Sequence, residues 1–326
     1  MGSDTKQNIN KFSRIFEAKE LILVGVILVF WIVMSFVAVN FKNISNIRAI
    51  FLGLSTEAII AIGMANLLIS GGLDLSVGAT LAMGGVIASL SMRAGIPVFI
   101  SVLLGILIGS FIGFINGTII ARWRINPLIV TLGMQTVVRG FTLILAGGMA
   151  IIGLPESFTS FGKASILGIQ YPIIITLALV ILGDIFLRKT RFFRQNFYIG
   201  GNEKAALMTG IRVKNIKIFN YVLVSTLAAL AGVLMSSRLA AASVNIGVGI
   251  ELKVIAACVI GGASLSGGEG SIVGAFLGTL FMATIINALN ILGVDVYWQN
   301  IVSGIILIGA VVLDTVMKER RESLSK

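Results

Sequence analysis

Long, nearly uninterrupted apolar segments follow one another along most of this 326-residue chain. A helix rises about 1.5 Å per residue, so about 20 apolar residues cross a hydrocarbon core about 30 Å thick. The segments are long enough for this and continuously apolar, whereas the strands of an outer-membrane barrel alternate apolar and polar residues. They therefore predict membrane-spanning helices and exclude a β-barrel. The ten predicted spans are 21–40, 49–69, 73–92, 96–120, 128–146, 171–187, 218–237, 250–264, 270–292 and 297–314.

The composition agrees with a protein dissolved in lipid. Hydrophobic residues make up 57% of the chain and charged residues 12%, and the mean hydropathy is +1.02. So few polar side chains cannot cover the surface of a water-soluble globule of this length. We predict an all-α integral membrane protein with about ten transmembrane helices. Its parts are a cytoplasmic N-terminal segment (1–20), a single transmembrane domain (21–314) and a cytoplasmic C-terminal tail (315–326).

Basic residues are unevenly distributed between alternate loops. With residues 1–20 in the cytoplasm, 18 of the 25 Lys and Arg residues fall on the cytoplasmic side of the ten spans. This bias follows the positive-inside rule and predicts a multi-pass protein of the bacterial cytoplasmic membrane with both termini inside. The net charge of +11 then needs no nucleic-acid partner, because the charges lie in short loops beside spans.

The side chains that most often carry catalysis or bind metals are scarce. The chain has no histidine and a single cysteine, Cys258, which lies in an apolar segment. A Walker A loop needs Gly, four residues and then Gly-Lys-Ser/Thr, but Gly162-Lys163 is followed by Ala164 and lacks the first glycine. We predict no enzymatic activity, no metal site and no cofactor bound by this chain.

One polar stretch, residues 200–214, interrupts the apolar pattern within a predicted loop of about 188–217. Asn202 is a good N-cap, Glu203 suits the positive end of a helix, and Gly210 can adopt the left-handed conformation that ends one. A helix this short is marginal alone, so the pattern predicts a cytoplasmic helix on which a motor subunit packs. The alternative is a surface helix that merely connects two spans.

Two glycine-rich segments resemble each other. Residues 69–79 and 260–275 each break an apolar run and restart it, and both have the same direction through the membrane. Unwound backbone is tolerated at membrane depth only where protein or a watery cavity satisfies it, which makes a parallel internal repeat of this kind typical of transporters. The alternative is two ordinary tight turns.

Several polar residues lie within the predicted spans. Thr131, Gln135 and Arg139 recur every four residues and so share one helix face, which should point away from lipid. Arg139 either lines a solute path or pairs with Asp74, Glu57 or a helix C-terminus, and Asp74 is the favoured partner. Intramembrane amides present the same choice between a path and helix-to-helix contacts. The candidate path residues are Asn66, Asp74, Ser76, Thr131, Gln135, Arg139, Asn287 and Asn290.

Taken together, five segments resemble the membrane permease of ribose-type ABC sugar importers, a family that also includes autoinducer-2 permeases. They occur in the family's order over nearly the whole chain. The matching segments are 71–78 (GGLDLSVG), 126–133 (NPLIVTLG), 200–217, 259–268 (VIGGASLSGG) and 287–294 (NALNILGV).

The resemblance implies a permease that pairs with a second permease copy and receives substrate from an extracytoplasmic solute-binding protein. ATP, with Mg²⁺, would be hydrolysed by cytoplasmic ABC ATPase subunits. The substrate would be a monosaccharide or similar small polyhydroxylated solute, moved by alternating access. The residues that the resemblance places on the ATPase-coupling segment are Asn202, Glu203, Ala206, Gly210 and Arg212.

The alternative function is an ion-coupled secondary transporter of a small polar solute. Such a protein needs intramembrane acids to bind sodium or protons, and Glu57 and Asp74 are the candidates. It has no need of a docking helix, however. A channel would require a ring of selectivity residues, which the sequence does not contain.

Overall fold

A computed structural model of the protein describes the backbone of residues 3–324 and the side chains of residues 20–316. This part of the chain is helical except for connecting loops and one hairpin of two-residue strands. The helices are α1 Ser3–Val37, α2 Ile44–Ile69, α3 Val77–Arg93, α4 Val98–Trp123, α5 Pro127–Ala146, α6 Glu156–Lys163, α7 Tyr171–Lys189, α8 Arg191–Gly201, α9 Glu203–Met208, α10 Val213–Leu239, α11 Ile250–Ile260, α12 Ile272–Ile291 and α13 Val296–Leu324, and the strands are β1 Ser165–Ile166 and β2 Ile169–Gln170.

The predicted all-α membrane fold is confirmed. Eight helices within the described chain are long and apolar enough to cross a membrane, namely α1, α2, α4, α5, α7, α10, α12 and α13. The remaining two predicted spans are short helices, since α3 has 17 residues and α11 only 11. At about 1.5 Å per residue, α11 is roughly 16 Å long and cannot cross the membrane alone. Its predicted extension to residue 264 is wrong, because a glycine turn begins at Gly261.

The two most deeply buried long helices, α2 and α10, lie at the centre of the bundle. The most apolar window of α2 is 78% buried and that of α10 is 61% buried. They touch through small residues, because a Cβ on Gly63 would overlap the Val224 backbone. Helix α10 packs on α3 and α4, whereas α2 packs on α11 and α12. Helices α2 and α11 each end at one of the two predicted glycine turns, and α3 and α12 each begin just after one, so the two breaks have the same order along the chain.

Those two turns lie together at one end of the bundle, which we call the α9 end. The Gly268 amide donates a hydrogen bond to the Ile69 carbonyl, 2.8 Å away. Gly71, Arg124 and Glu203 line a common cavity there. The Asp314 carboxylate of α13 accepts a hydrogen bond from the Leu265 amide, so the C-terminal part of α13 also reaches the α9 end.

The opposite end carries structure that the apolar pattern did not predict. Helix α6 packs on α10, where a Cβ on Gly162 would overlap Arg238. Strands β1 and β2 pair antiparallel around a turn in which Leu167 and Gly168 have positive φ. Helices α1, α5 and α13 leave most of their apolar surface exposed, with 17%, 17% and 11% of their apolar windows buried. These faces are available to lipid or to a second copy of the chain.

Candidate coupling and translocation site

The predicted docking helix is present as α9, and its capping is as predicted. The Asn202 side chain accepts a hydrogen bond from the Ala205 amide at 3.0 Å. Gly210 follows the helix with φ +81°, a conformation that L side chains rarely adopt. Glu203 forms an ion pair with Lys217 of α10, with 2.6 Å between Oε2 and Nζ. The loop predicted for 188–217 is mostly helical, because α8, α9 and the start of α10 occupy it.

Helix α9 has one packed face and one free face. Ala206 is buried with Ile199 of α8 and with Val213 and Ile216 of α10. Leu207 and Met208 point outward, and Met208 is 90% exposed. Arg212 is exposed at the N-cap of α10. A large exposed apolar tip on a short capped helix is typical of a surface that another protein covers.

Backbone packs directly on backbone beneath α9, in a cluster of five glycines that we call the glycine junction. A Cβ on Gly200 would overlap the Ile69 carbonyl oxygen and the Gly268 amide nitrogen, and one on Gly267 would lie 2.8 Å from the Gly200 Cα. The junction thus joins the end of α8 to the turns after α2 and α11. The glycine junction consists of Gly71, Gly200, Gly201, Gly267 and Gly268.

Two cavities of different chemistry flank α9. One, of 520 Å³, is mostly apolar. The other, of 480 Å³, contains four basic side chains, of which Lys217 is neutralised by Glu203. The apolar cavity is lined by Phe197, Tyr198, Gly201, Asn202, Ala205, Ala206, Thr209 and Ile211. The basic side chains of the other are those of Arg124, Lys204, Lys214 and Lys217.

Three asparagines form a closed hydrogen-bonded ring between α2, α8 and α10, which we call the asparagine ring. Asn66 Nδ2 donates to Asn220 Oδ1 at 2.9 Å, Asn220 Nδ2 to Asn196 Oδ1 at 2.9 Å, and Asn196 Nδ2 to Asn66 Oδ1 at 2.8 Å. Asn220 Nδ2 also donates to Ser70 Oγ at 3.0 Å. All three asparagines are buried. The amides of Asn196 and Asn220, which the sequence analysis missed, hold the helices on both sides of α9 to α2.

Asp74 and Ser76 belong to a second buried network. The Asp74 carboxylate accepts hydrogen bonds from the Ser76 amide at 2.8 Å, the Ser76 hydroxyl at 2.6 Å and the Ser225 hydroxyl at 3.3 Å. Asn116 Nδ2 donates to Ser76 Oγ at 3.0 Å. Hydrogen bonds of this kind offset the cost of placing a carboxylate inside the protein. The network fixes the turn between α2 and α3 against α4 and α10.

Arg139 does not pair with Asp74, so that predicted pairing is wrong. Its Nη1 donates to the carbonyl oxygens of Val244 at 2.7 Å and Ile246 at 3.0 Å, in the connection between α10 and α11. Glu251 lies within electrostatic range of Arg139 and accepts a hydrogen bond from Gln135 Nε2 at 3.0 Å. Backbone carbonyls that lack a backbone partner give no signal in a sequence, which is why an acidic residue was the expected partner.

The other candidate path residues lie apart from this group. Thr131 is fully buried, and its hydroxyl donates a hydrogen bond to the Pro127 carbonyl of the same helix. Asn287 and Asn290 lie near the end of α12, on a cavity at the opposite end of the bundle from α9. The predicted path residues therefore occupy four places: the asparagine ring, the Asp74 network, the α5 face with Glu251, and the α12 cavity. Of these, the α5 face and the α12 cavity remain partly accessible.

A helical bundle with two helices broken at glycine turns, buried polar networks and an exposed capped helix is typical of a membrane transport protein. The family model described as branched-chain amino acid transport system / permease component matches residues 46–311. The chain therefore belongs to this family of ABC-importer permeases.

Curated relatives extend over nearly all of the chain. The ribose import permease protein RbsC of Bacillus subtilis is 41% identical over 286 residues, covering 87% of this chain and 88% of the relative. The L-arabinose ABC transporter permease protein AraH of Azospirillum brasilense is 38% identical over 302 residues, 93% and 89% of the two chains. The L-arabinose transport system permease protein AraH of Escherichia coli is 35% identical over 323 residues, 99% and 98%. No solved structure matches the chain.

Proposed function

We propose that this permease moves a monosaccharide, of the pentose class, across the bacterial inner membrane by ATP-driven alternating access. The observation that carries the proposal is the placement of α9: this exposed, capped helix begins directly after Gly200 and Gly201, which pack on the glycine turns of two broken helices. Motion of a protein bound to α9 would reach both glycine turns without passing through flexible side chains. The relatives, which are ribose and L-arabinose permeases, support the solute class.

The partners follow from this placement. A cytoplasmic ABC ATPase binds α9 and hydrolyses ATP with Mg²⁺, so this chain itself needs no cofactor. A second permease copy covers exposed apolar helices such as α5, and a solute-binding protein delivers solute to the end opposite α9. Gln135 and Arg139 of α5, together with Glu251 of α11, supply the polar face of the path between the copies, since polar side chains are less costly there than in lipid.

We expect Glu203→Lys to uncouple ATP hydrolysis from transport without unfolding the membrane domain. The change breaks the Glu203–Lys217 ion pair and places a positive charge at the positive end of α9. Because an exposed ion pair contributes only about 0.2–1 kcal/mol, the melting temperature of the purified protein should change little. Uptake of labelled D-ribose and L-arabinose should fall at least tenfold. A tenfold fall corresponds to a loss of about 1.4 kcal/mol of coupling free energy. The measurement is uptake and ATPase activity in proteoliposomes that contain the permease with the ATPase and solute-binding protein of the same transporter.

The matched control is Lys163→Glu, an exposed charge reversal at the end opposite α9. It should leave ATPase coupling unchanged. Wild-type uptake by an assembled Glu203→Lys transporter would contradict the coupling role of α9. ATP-independent uptake driven by a sodium or proton gradient would favour the secondary-transporter alternative.

We expect the α9 end and both termini to face the cytoplasm. Single cysteines at Lys204 and Lys318 in a Cys258→Ser background should react with a membrane-impermeant maleimide only in inverted vesicles. A cysteine at Lys163 should react only in intact cells. The excess of basic residues at the α9 end motivates this orientation through the positive-inside rule. Labelling of position 204 from outside intact cells would reverse the orientation and remove the cytoplasmic ATPase as its partner.

A further inference from the structure

Helices α2, α11 and α12 line a cavity of 230 Å³ in the half of the bundle away from α9, and two residues of opposite charge lie on its wall. Glu57 projects into it from the middle of α2, and Lys253 from the first turn of α11. A carboxylate at mid-membrane depth is costly and marks a functional site unless a partner satisfies it. The cavity thus extends from the membrane surface to an intramembrane charge.

Glu57 and Lys253 attract each other but do not close an ion pair. The Glu57 carboxylate lies within electrostatic range of the Lys253 ammonium group. Among the side chains that the structure describes, no hydrogen bond or ion pair of 4.0 Å or less engages either group. Both residues are partly exposed and line the same cavity. The cavity wall therefore carries two opposite charges that no side-chain hydrogen bond or close ion pair occupies.

The mouth of the cavity carries fixed amides. Asn287 and Asn46 exchange two hydrogen bonds, of 3.0 Å and 2.8 Å, and Asn290 accepts one of 2.7 Å from Gln299. These pairs hold the amides in place without using all of their donors and acceptors. The rest of the wall is apolar, with Ile50, Met282 and Ile286 among its residues.

We propose that this cavity is a binding site for one small, neutral, polyhydroxylated solute on its way from the outer surface. The carboxylate accepts hydrogen bonds from hydroxyl groups, the ammonium group donates to a hydroxyl or ring oxygen, and the apolar wall contacts C–H groups. Because the two charges cancel, the site favours a neutral polar solute over an ion. A volume of 230 Å³ lies below the range of about 300–1,000 Å³ for drug-sized ligands, so it admits a single small sugar.

The inference rests on the solute class of the proposed function but locates a site within each chain, separate from the face of α5. Its test needs no ATPase, so failure of the site and failure of ATP-driven transport are distinguishable. Gly53 provides a probe position, since it lines the cavity and a Cβ there would meet open space. Asn245 is exposed outside the cavity lining and serves as the matched control.

The experiment measures the labelling rate of Gly53→Cys and Asn245→Cys, each in a Cys258→Ser background, by a charged thiol reagent in lipid nanodiscs. D-Ribose or L-arabinose should slow labelling at position 53 severalfold and leave position 245 unchanged. Sucrose at equal concentration, too large for the cavity, should have no effect. Glu57→Gln, or Glu57→Gln together with Lys253→Gln, should weaken the protection about tenfold.

Three results would overturn the proposal: no protection by either pentose, equal protection by sucrose, or protection that survives the double replacement. Protection by the zwitterion L-alanine but by neither sugar would also refute a neutral polyhydroxylated ligand. The double replacement removes both charges together and leaves no unpaired ion, so it keeps the test decisive where Glu57→Gln alone fails to fold.

Discussion

Gly200→Ala is expected to abolish transport and to destabilise the membrane domain by about 3 kcal/mol, because the glycine junction has no space for a methyl group at position 200. The added Cβ would overlap the Ile69 carbonyl and the Gly268 amide, which also hydrogen-bond to each other. Backbone atoms cannot move aside as a flexible side chain can, so the overlap must separate α8 from the two glycine turns. Overpacking commonly costs about 1–3 kcal/mol, and backbone contact belongs at the upper end of that range.

The neighbouring residue supplies a close control. Gly201 belongs to the same helix, and a Cβ built on it meets no atom within 4 Å. Gly201→Ala should therefore leave stability unchanged or raise it by about 0.4–1 kcal/mol, the usual gain from restricting the unfolded chain. Thermal unfolding in detergent and D-ribose uptake with the partner subunits measure both variants. Equal stability and uptake of the two variants would show that the junction is not closely packed.

The sequence predicted most of the fold because the spans are long apolar runs. Predicted span 128–146 corresponds to α5 Pro127–Ala146, and 49–69 lies within α2 Ile44–Ile69. Hydropathy failed where an apolar stretch is not helical. Residues 261–264 are small and uncharged and were counted with the apolar run before them, but the chain turns at Gly261, so α11 is shorter than predicted. Helix α6 and the β1–β2 hairpin are short and polar or irregular, so the apolar pattern does not indicate them.

Functional residues were predicted where the signal is local. The Asn202 cap and the positive φ of Gly210 depend on neighbouring residues, and both are present as expected. Partners distant in the chain were not predictable in the same way. Asn66 could be recognised as a polar residue in a span, but its ring closes with Asn196 and Asn220, 130 and 154 residues away. Nothing in one sequence indicates which distant amides meet.

Arg139 shows a different limit. Its position in a span predicted a partner, and the structure provides the carbonyl oxygens of Val244 and Ile246. Every residue carries a carbonyl, so the sequence contains no sign that two of them are left unpaired within reach. A charged group such as Asp74 is therefore the expected partner from sequence, but its carboxylate is already engaged by Ser76 and Ser225.

The asparagine ring leads to the second large expected effect: Asn220→Ala should destabilise the protein by about 2 kcal/mol or more and reduce transport further than this loss explains. Asn220 takes part in three hydrogen bonds, to Asn66, Asn196 and Ser70. Its removal leaves Asn66 Nδ2 and Asn196 Oδ1 unpaired in a dry interior, at about 1–3 kcal/mol for each buried group. Side-chain hydrogen bonds between membrane helices contribute less on average, about 0.6 kcal/mol each, because the unfolded state also finds partners. We therefore expect the loss of stability to lie near the lower limit of about 2 kcal/mol.

The effect on transport has a separate cause. Asn196 precedes α9 and Asn220 follows it, so the ring holds both flanking helices to α2. Without the ring, α9 could move with a bound ATPase while α2 and its glycine turn stay in place, and ATP would be hydrolysed without transport. Asn215→Ala is the matched control, because Asn215 is exposed on the same helix and its loss should change stability by less than about 0.5 kcal/mol. ATPase activity and D-ribose uptake, measured together at a temperature where each variant is fully folded, separate coupling from stability. If uptake per ATP hydrolysed is the same in Asn220→Ala as in the wild type, the ring stabilises the bundle but does not couple α9 to α2.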